Sequence, residues 1–294
     1  VAVADTGNLF GVMQFCAAAT KAGVQPVVGC LVPLAAIEER PRPPGHRATA
    51  EHLALLVKDE TGWRNLSRLL SRAYLPPDAT QGIAVTLAEL AAHAGGLLCL
   101  TGGTGGPLDA ALARGEAPLA ERLLGELQAI FGDRLYVEVQ RHGLDVQARV
   151  EPALLELAYA RGLPLVATND VHFLDAEMHE AHDVLLCIAE GALVIEEDRR
   201  RLTVEHRFKT AAEMRELFAD LTEAVDNTLV VARRCAFQAP VRQPILPTFA
   251  DDEEALMRRE AAAGLERRLA ATVWAGDADP AAREAAARPY RERL

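Results

Sequence analysis

The sequence predicts an α/β fold on three observations: six short apolar runs, amphipathic stretches between them long enough to be crossover helices, and polar residues gathered where the runs end. The runs fall at residues 1–4, 26–32, 53–57, 96–101, 135–139 and 163–168. They are rich enough in Val, Leu and Ala to be strands buried on both faces, which predicts parallel pairing. Residues 9–22, 62–74, 118–131 and 146–161 carry apolar side chains at helical spacing. Together they describe a (β/α) architecture, barrel-like or doubly wound.

Beyond residue 200 the strand signal fades. Two helical segments, 211–219 and 221–235, lead into a stretch punctuated by Pro240, Pro244 and Pro247, which reads as an extended linker. A further helix then opens on acidic residues, with Leu256, Leu265 and Leu269 roughly on one face and Glu254 and Arg258 four residues apart. This predicts a body over residues 1–238, a linker over 239–250 and a helical region over 251–294.

Composition narrows the function classes. Half of the 294 residues are hydrophobic and a quarter charged, enough for a full core. No apolar run approaches the length needed to cross a bilayer, so no membrane role is expected. Cys16, Cys30, Cys99, Cys187 and Cys235 are far apart, odd in number and form no CxxC pair, which suits reduced thiols in a cytoplasm. A net charge of −11 sets the segment as a whole against phosphate backbones, so it is not expected to grip DNA by itself. The first residues read as the middle of a buried strand and the last as the inside of a charged helix, so both ends read as interior to a longer chain.

The strongest local motif is Asn169-Asp170-Val171-His172, directly after the run LPLVAT. A carboxylate and an imidazole two residues apart at a strand end can point into one site, and both are ligands for zinc or manganese; loop hydrogen bonds would satisfy the pair equally well. His142, after VEVQ, and His52, heading LALLV, are the candidate partners, although His52 sits near the start of its strand rather than the end. TGGTGG at residues 101–106 lacks the Lys-Ser/Thr of a P-loop and reads as a flexible strand-to-helix turn. His179 and His182 lie three apart, short of the HExxH spacing, and read as a solvated helix face. Ser67 and Ser71, the only serines, lie within a helix and exclude a nucleophile elbow. Arg199 to Arg201 read as a solvated loop.

Several segments in order then resemble one family. ADTGNLFG, AGVQPVVGC, HLALLVKDETGWRNLSRLLSRAYL, GLLCLTGGTGGPL, RLYVEVQRHG and GLPLVATNDVHFLDAEMHEAHDVLLCIAEG, followed by FKTAAEMRELF, EAVDNTLVVARRC and PILPTF, are similar to the PHP domain of the replicative C-family DNA polymerases, the polymerase III alpha subunits. The resemblance covers residues 1 to about 249, and the closing helix resembles the lead into the polymerase core. It implies a distorted (β/α) barrel of the PHP type, here lacking its first strand, whose strand ends hold a cluster of metal ions. The family's Thr-Asp-His reads Ala4-Asp5-Thr6 and its Gly-Cys-Glu reads Gly29-Cys30-Leu31, while matching positions survive at His52, His142, Asp170 and His172. Thr6 is a weak neutral ligand and Leu31 none, so the resemblance implies a degenerate metal site, with zinc on the surviving residues as its remnant.

It implies further that the parent is a cytoplasmic, DNA-directed DNA polymerase of DNA replication, whose Mg2+-binding residues lie outside this segment. This segment would be a scaffold docking the proofreading exonuclease subunit among other replicase subunits, with DNA reached through the parent. The alternative is a metal-dependent PHP phosphoesterase or exonuclease. The replicative pattern of ADTGNLFG and NDVHFLD sets the chain apart from the error-prone paralogue. Limited proteolysis tests the linker: cleavage between residues 240 and 247 is expected before any cut elsewhere. Persistent protection of that stretch in the intact parent would mean that it is packed.

Overall fold

A computed structural model describes residues 1–35, 51–75, 83–274 and 279–294. Six strands, β1 (Ala2–Thr6), β2 (Val27–Leu34), β3 (Glu51–Val57), β4 (Leu97–Leu100), β5 (Leu135–Val139) and β6 (Leu165–Ala167), form one mixed sheet in sequential order. Every strand falls on one of the apolar runs.

Direction departs from the expectation of parallel pairing. β1 runs parallel to β2, and β4, β5 and β6 run parallel in turn, but β3 is antiparallel to both of its neighbours. Burial on two faces dictates apolar composition, not direction, so the sequence could not distinguish the two cases. Among the described residues β1 and β6 are the edges of the sheet, which is therefore wound in barrel order but open. The reversal of β3 also relocates His52. Paired with Pro33 near the end of β2, it lies beside strand ends, not opposite them.

Helices α1 (Val12–Lys21), α2 (Glu60–Tyr74), α3 (Leu87–Ala92), α4 (Pro107–Ala113), α5 (Ala117–Phe131) and α6 (Asp145–Ala160) fill the connections. α7 (His179–Glu190), α8 (Ala211–Leu217) and α9 (Thr222–Arg234) follow β6. The helical periodicity of α2 explains its seat: Leu66, Leu69, Leu70 and Ala73 share one buried stripe, and Asp59 caps the helix by accepting from the Gly62 N–H at 3.0 Å.

Alternation along each strand separates two cores. Val28, Cys30, Val32, Leu53, Leu55, Val57, Leu97, Cys99, Leu135 and Val137 pack with residues of α1, α2, α5 and α6. The opposite face, carrying Val27, Ala54, Leu56, Leu98, Leu100, Tyr136 and Val166, packs with Val231 and Cys235 from the α9 end. His52 and Glu138 occupy alternate positions continuing this second face toward the strand ends.

Val1–Pro240 and Val241–Leu294 are two compact units. The second contains α10 (Glu253–Arg268), a π-helical turn at Leu269–Val273 and α11 (Pro280–Arg291). Leu269 is buried there, whereas Leu256 and Leu265 are partly exposed. In this unit Arg291 pairs with Glu266 at 2.8 Å and Glu284 at 2.5 Å.

Among the described glycines of the first unit the tightest approach is at Gly62, where an added Cβ would lie 1.9 Å from the carbonyl oxygen of Gly96. Both partners are backbone, so neither can yield without moving α2 or the β4 entry. Gly62→Ala is expected to cost more than about 2 kcal/mol in denaturant unfolding. Gly95→Ala, whose nearest neighbour would be the Asn65 side chain at 3.4 Å, should leave the midpoint nearly unchanged.

Candidate functional site

The ends of β4, β5 and β6 meet around a buried carboxylate. Glu138 interrupts the apolar run of β5 and accepts from the Gly102 N–H at 2.9 Å, from the Thr168 hydroxyl and from the Gln140 amide at 3.3 Å. Burial pushes its carboxyl up, while the bonds from Thr168 and Gly102 pull the other way. The donor from Gly102 exists because TGGTGG folds as a strand-to-helix turn between β4 and α4. Gly102 has φ +90°, and a Cβ there would stand 2.0 Å from the His52 carbonyl oxygen.

Past β6 the chain is held against a later segment. The His172 N–H donates to the His206 carbonyl at 2.9 Å and the Phe208 N–H to the Phe173 carbonyl at 2.9 Å. Asn169 donates to the Arg207 carbonyl at 2.7 Å and accepts from the Lys209 ammonium at 2.9 Å. The Lys209 side chain is buried and also pairs with Glu205 at 3.2 Å.

This pairing gathers His142, Asp170 and His172 with His206. Asp170 bonds His172 Nε2 at 3.3 Å. Burial pushes the Asp170 carboxyl up, but His172 by hydrogen bond and charge, with His206 and His142 beyond it, outweighs burial and leaves it below its ordinary value. His142 and His206 stack with ring centroids 4.0 Å apart and planes 10° apart; His172 stands edge-on to His206 at 5.9 Å and to His182 at 5.5 Å. No hydrogen bond or ring contact joins His52 to this group among the described residues. Its ring is lowered in pKa by burial.

The arrangement does not fit the metal cluster that the resemblance implies. Imidazoles bind metals in the ring plane, and two rings stacked face to face cannot both hold one ion in plane. Gln147 uses its carbonyl for the His142 N–H at 2.7 Å and therefore turns its amide toward His142 Nδ1 at 2.9 Å. Burial and then His206 lower His142 to about 4, so the neutral ring carries its proton on Nε2, a buried nitrogen without a partner. Among the described residues no three His, Cys, Asp or Glu side chains converge as a metal site. At the other end of the sheet Thr6 and Leu31 are register partners, and Leu31 packs with the second core.

His206, Glu138 and Lys209 escaped sequence reasoning. Glu138 carried a signal, being the one charge in LYVEV, whereas His206 and Lys209 lie in a segment with no periodic pattern. The solvated reading of His179 and His182 is corrected. His179 Nε2 bonds the Leu202 carbonyl at 2.8 Å, and His182 packs against His172 and Phe173. Arg199 is likewise no solvated loop residue, since its buried side chain pairs with Asp183 at 2.6 Å.

Comparison with known proteins points one way. Residues 1–142 match the PHP domain family. The chain is 48% identical over 271 residues to DNA polymerase III subunit alpha of Caulobacter vibrioides, covering 91% of this chain and 24% of that protein. It is 37% identical over 272 residues to the protein of that name from Rickettsia bellii, covering 92% and 22%. For Thermus aquaticus the figures are 38% over 247 residues, 82% and 20%. The chain thus spans about a quarter or less of the length of the curated relatives it matches.

One half-buried acid beside the site sets a pH dependence. Asp109, in the first turn of α4, has an oxygen buried without a partner. Burial, then Glu138 and Glu151, raise its carboxyl to about 7 from an ordinary 3.8. The folded state therefore holds this proton more tightly than the unfolded one, and stability falls as pH rises through that window. Asp109→Asn removes the titration. It should match the parent near pH ~4 and exceed it by on the order of 2–4 kcal/mol above pH ~7. Urea melts across that range would show it, and a gap independent of pH would assign the effect to packing.

Proposed function

We propose that the chain, which matches the PHP domain family over residues 1–142 and is similar to DNA polymerase III alpha subunits over most of its length, is a scaffold segment of a replicative DNA polymerase with a degenerate metal site. The parent would be a cytoplasmic, DNA-directed DNA polymerase whose nucleotidyl transfer uses Mg2+ held by residues outside this chain. The scaffold would dock the proofreading exonuclease subunit. DNA would be met through the parent, consistent with the net charge of −11 on this segment.

The observation that carries this reading is the Thr6–Leu31 pair. Two adjacent strands meet there with a neutral hydroxyl and an apolar side chain where the family pattern has an imidazole and a carboxylate. The loss is electrostatic, because a balancing anion is gone, and steric, because Leu31 fills space an ion would need. The stacked pair His142–His206 and the proton held on His142 Nε2 support it from the other side of the site. The division into a PHP body over 1–238, a linker over 239–250 and a polymerase-leading region over 251–294 is supported by the two compact units, which part at Pro240.

A second reading, a metal-dependent phosphoesterase or exonuclease, is favoured by one observation: Asp170, His172 and His142 stand together with the added His206. A single zinc on these groups would be its minimal form, after the His142 proton and the stacked pair had rearranged.

Metal analysis and chelator-sensitive hydrolysis of a phosphodiester separate the readings. The chain is expected to bind zinc or manganese substoichiometrically, to hydrolyse nothing, and to extend no primer. The Thr6→His, Leu31→Glu double variant should bind more metal. Hydrolysis by the unaltered chain that vanishes on chelation and again in Asp170→Ala would overturn the scaffold reading.

A further inference from the structure

Helix α7 is folded inside out. Its inward face is polar: His179 bonds the Leu202 carbonyl, His182 meets the rings of His172 and Phe173, and Asp183 pairs with the buried Arg199. Cys187 is the one buried residue of the helix. The opposite face carries Met178, just ahead of the helix, then Ala181, Val184, Leu185 and Ile188, all exposed, with Leu185 61% and Ile188 72% accessible. At 100° per residue these five positions fall within a sector of about 120°. A helix in water normally shows the reverse arrangement. Leu193 and Ile195, exposed just beyond the helix, extend the apolar character.

The surroundings state what kind of surface would cover it. From residue 174 to residue 198 there are eight carboxylates and no Lys or Arg. Of these, Asp183 is taken by Arg199 on the inward side, Glu180 flanks the apolar sector by the same count, and Glu177 lies in the turn just ahead of the helix. An apolar stripe beside carboxylates is complementary to a helix with its own apolar stripe flanked by Lys or Arg. A second copy of the chain would bring like charges together.

We propose that the outward face of α7, centred on Leu185 and Ile188, is a docking surface for a basic amphipathic helix of a partner protein. This rests on the scaffold reading above and gives that reading a location. Apolar contact supplies affinity and the carboxylates supply orientation and discrimination.

The test uses the whole chain and designed helical peptides as probes: one with a Leu stripe and Lys flanks, one with a Leu stripe and Glu flanks, and one with the first peptide's composition scrambled so that no stripe forms. Fluorescence anisotropy should show the Leu/Lys peptide binding at least about tenfold more tightly than the other two, weakening as salt rises. Leu185→Glu with Ile188→Glu should abolish the preference, while Phe10→Glu, at an exposed site on another part of the surface, should not change it. Both positions are exposed, so circular dichroism and melting temperature should match the parent chain. Equal binding of the Leu/Lys and scrambled peptides, or retention in the double variant, would overturn the proposal. So would self-association of the chain through Leu185 and Ile188 in sedimentation, or loss of peptide binding in the full-length parent, which would assign the face to the rest of that polypeptide. A separate measurement with the proofreading subunit keeps the two readings apart. If that subunit binds the chain but ignores the double variant's changes, this surface fails and docking stands. If it does not bind while the peptide preference holds, the exonuclease role fails and the surface stands.

Discussion

The first unit is organised around one buried carboxylate. Glu138 lies inside an otherwise apolar strand, where an unpaired charge would be costly, and its oxygens take donors from the ends of three strands. Each donor imposes a local requirement. Gly102 must be glycine, because its left-handed backbone brings its N–H to Glu138 while passing under the His52 carbonyl. Thr168 must leave β6 with its hydroxyl turned back, which fixes the first residue of the loop holding Asn169, Asp170 and His172. The same loop is clamped from outside by Arg207, Lys209 and the His206 carbonyl. TGGTGG, LYVEV and VATNDVH are thus three views of one polar junction. A buried network with every member satisfied stiffens the strand ends in a way that apolar packing alone would not.

How much of this the sequence disclosed follows from what each pattern encodes. All six apolar runs became strands, because a run of Val and Leu bounded by turn residues reports burial directly. The reversal of β3 was hidden, since burial on both faces looks the same in either direction. With it was hidden the reason His52, at the start of its strand, lies beside the ends of β2 and β4. The candidate site was legible where strand-end position and residue chemistry coincided, at His142, Asp170 and His172. His206 and Lys209 lie in an aperiodic stretch and reach the site only because residues 172–173 pair with 206–208. That pairing is a tertiary fact with no local signature.

Helix α7 shows a different limit. Its residues alternate polar and apolar with good helical spacing, and the usual inference assigns the apolar side to the core. Here the polar side is turned inward because polar partners wait there: the Leu202 carbonyl, the His172 ring and the Arg199 guanidinium. Once an interior is polar, periodicity still predicts the helix but reverses its face. The two solvated assignments that the structure corrects, His179 with His182 and Arg199, come from this single inversion.

The same polar interior bears on how, under the proposed scaffold reading, a PHP body would keep its fold without bound ions. Removing bound cations from a cluster of carboxylates and imidazoles would leave repelling charge and unsatisfied lone pairs, and the structure could be expected to open there. In this chain most such demands are met from within. Asp170 is bonded to His172, His206 donates at Nδ1 toward Thr203, and the charge of Lys209 falls on His142 and His206, while its ammonium bonds the Asn169 carbonyl beside Asp170. On the opposite side Leu31, which brings no charge, adds to the second core. Among the described residues His142 Nε2 is left without a partner, as is an oxygen of Asp109 beside the site. A site balanced in this way would gain little from an ion, which would first have to displace a proton, break a stacked pair and compete with a buried ammonium. That is a physical reason for scaffold and metal chemistry to part company while the strand ends stay where they are.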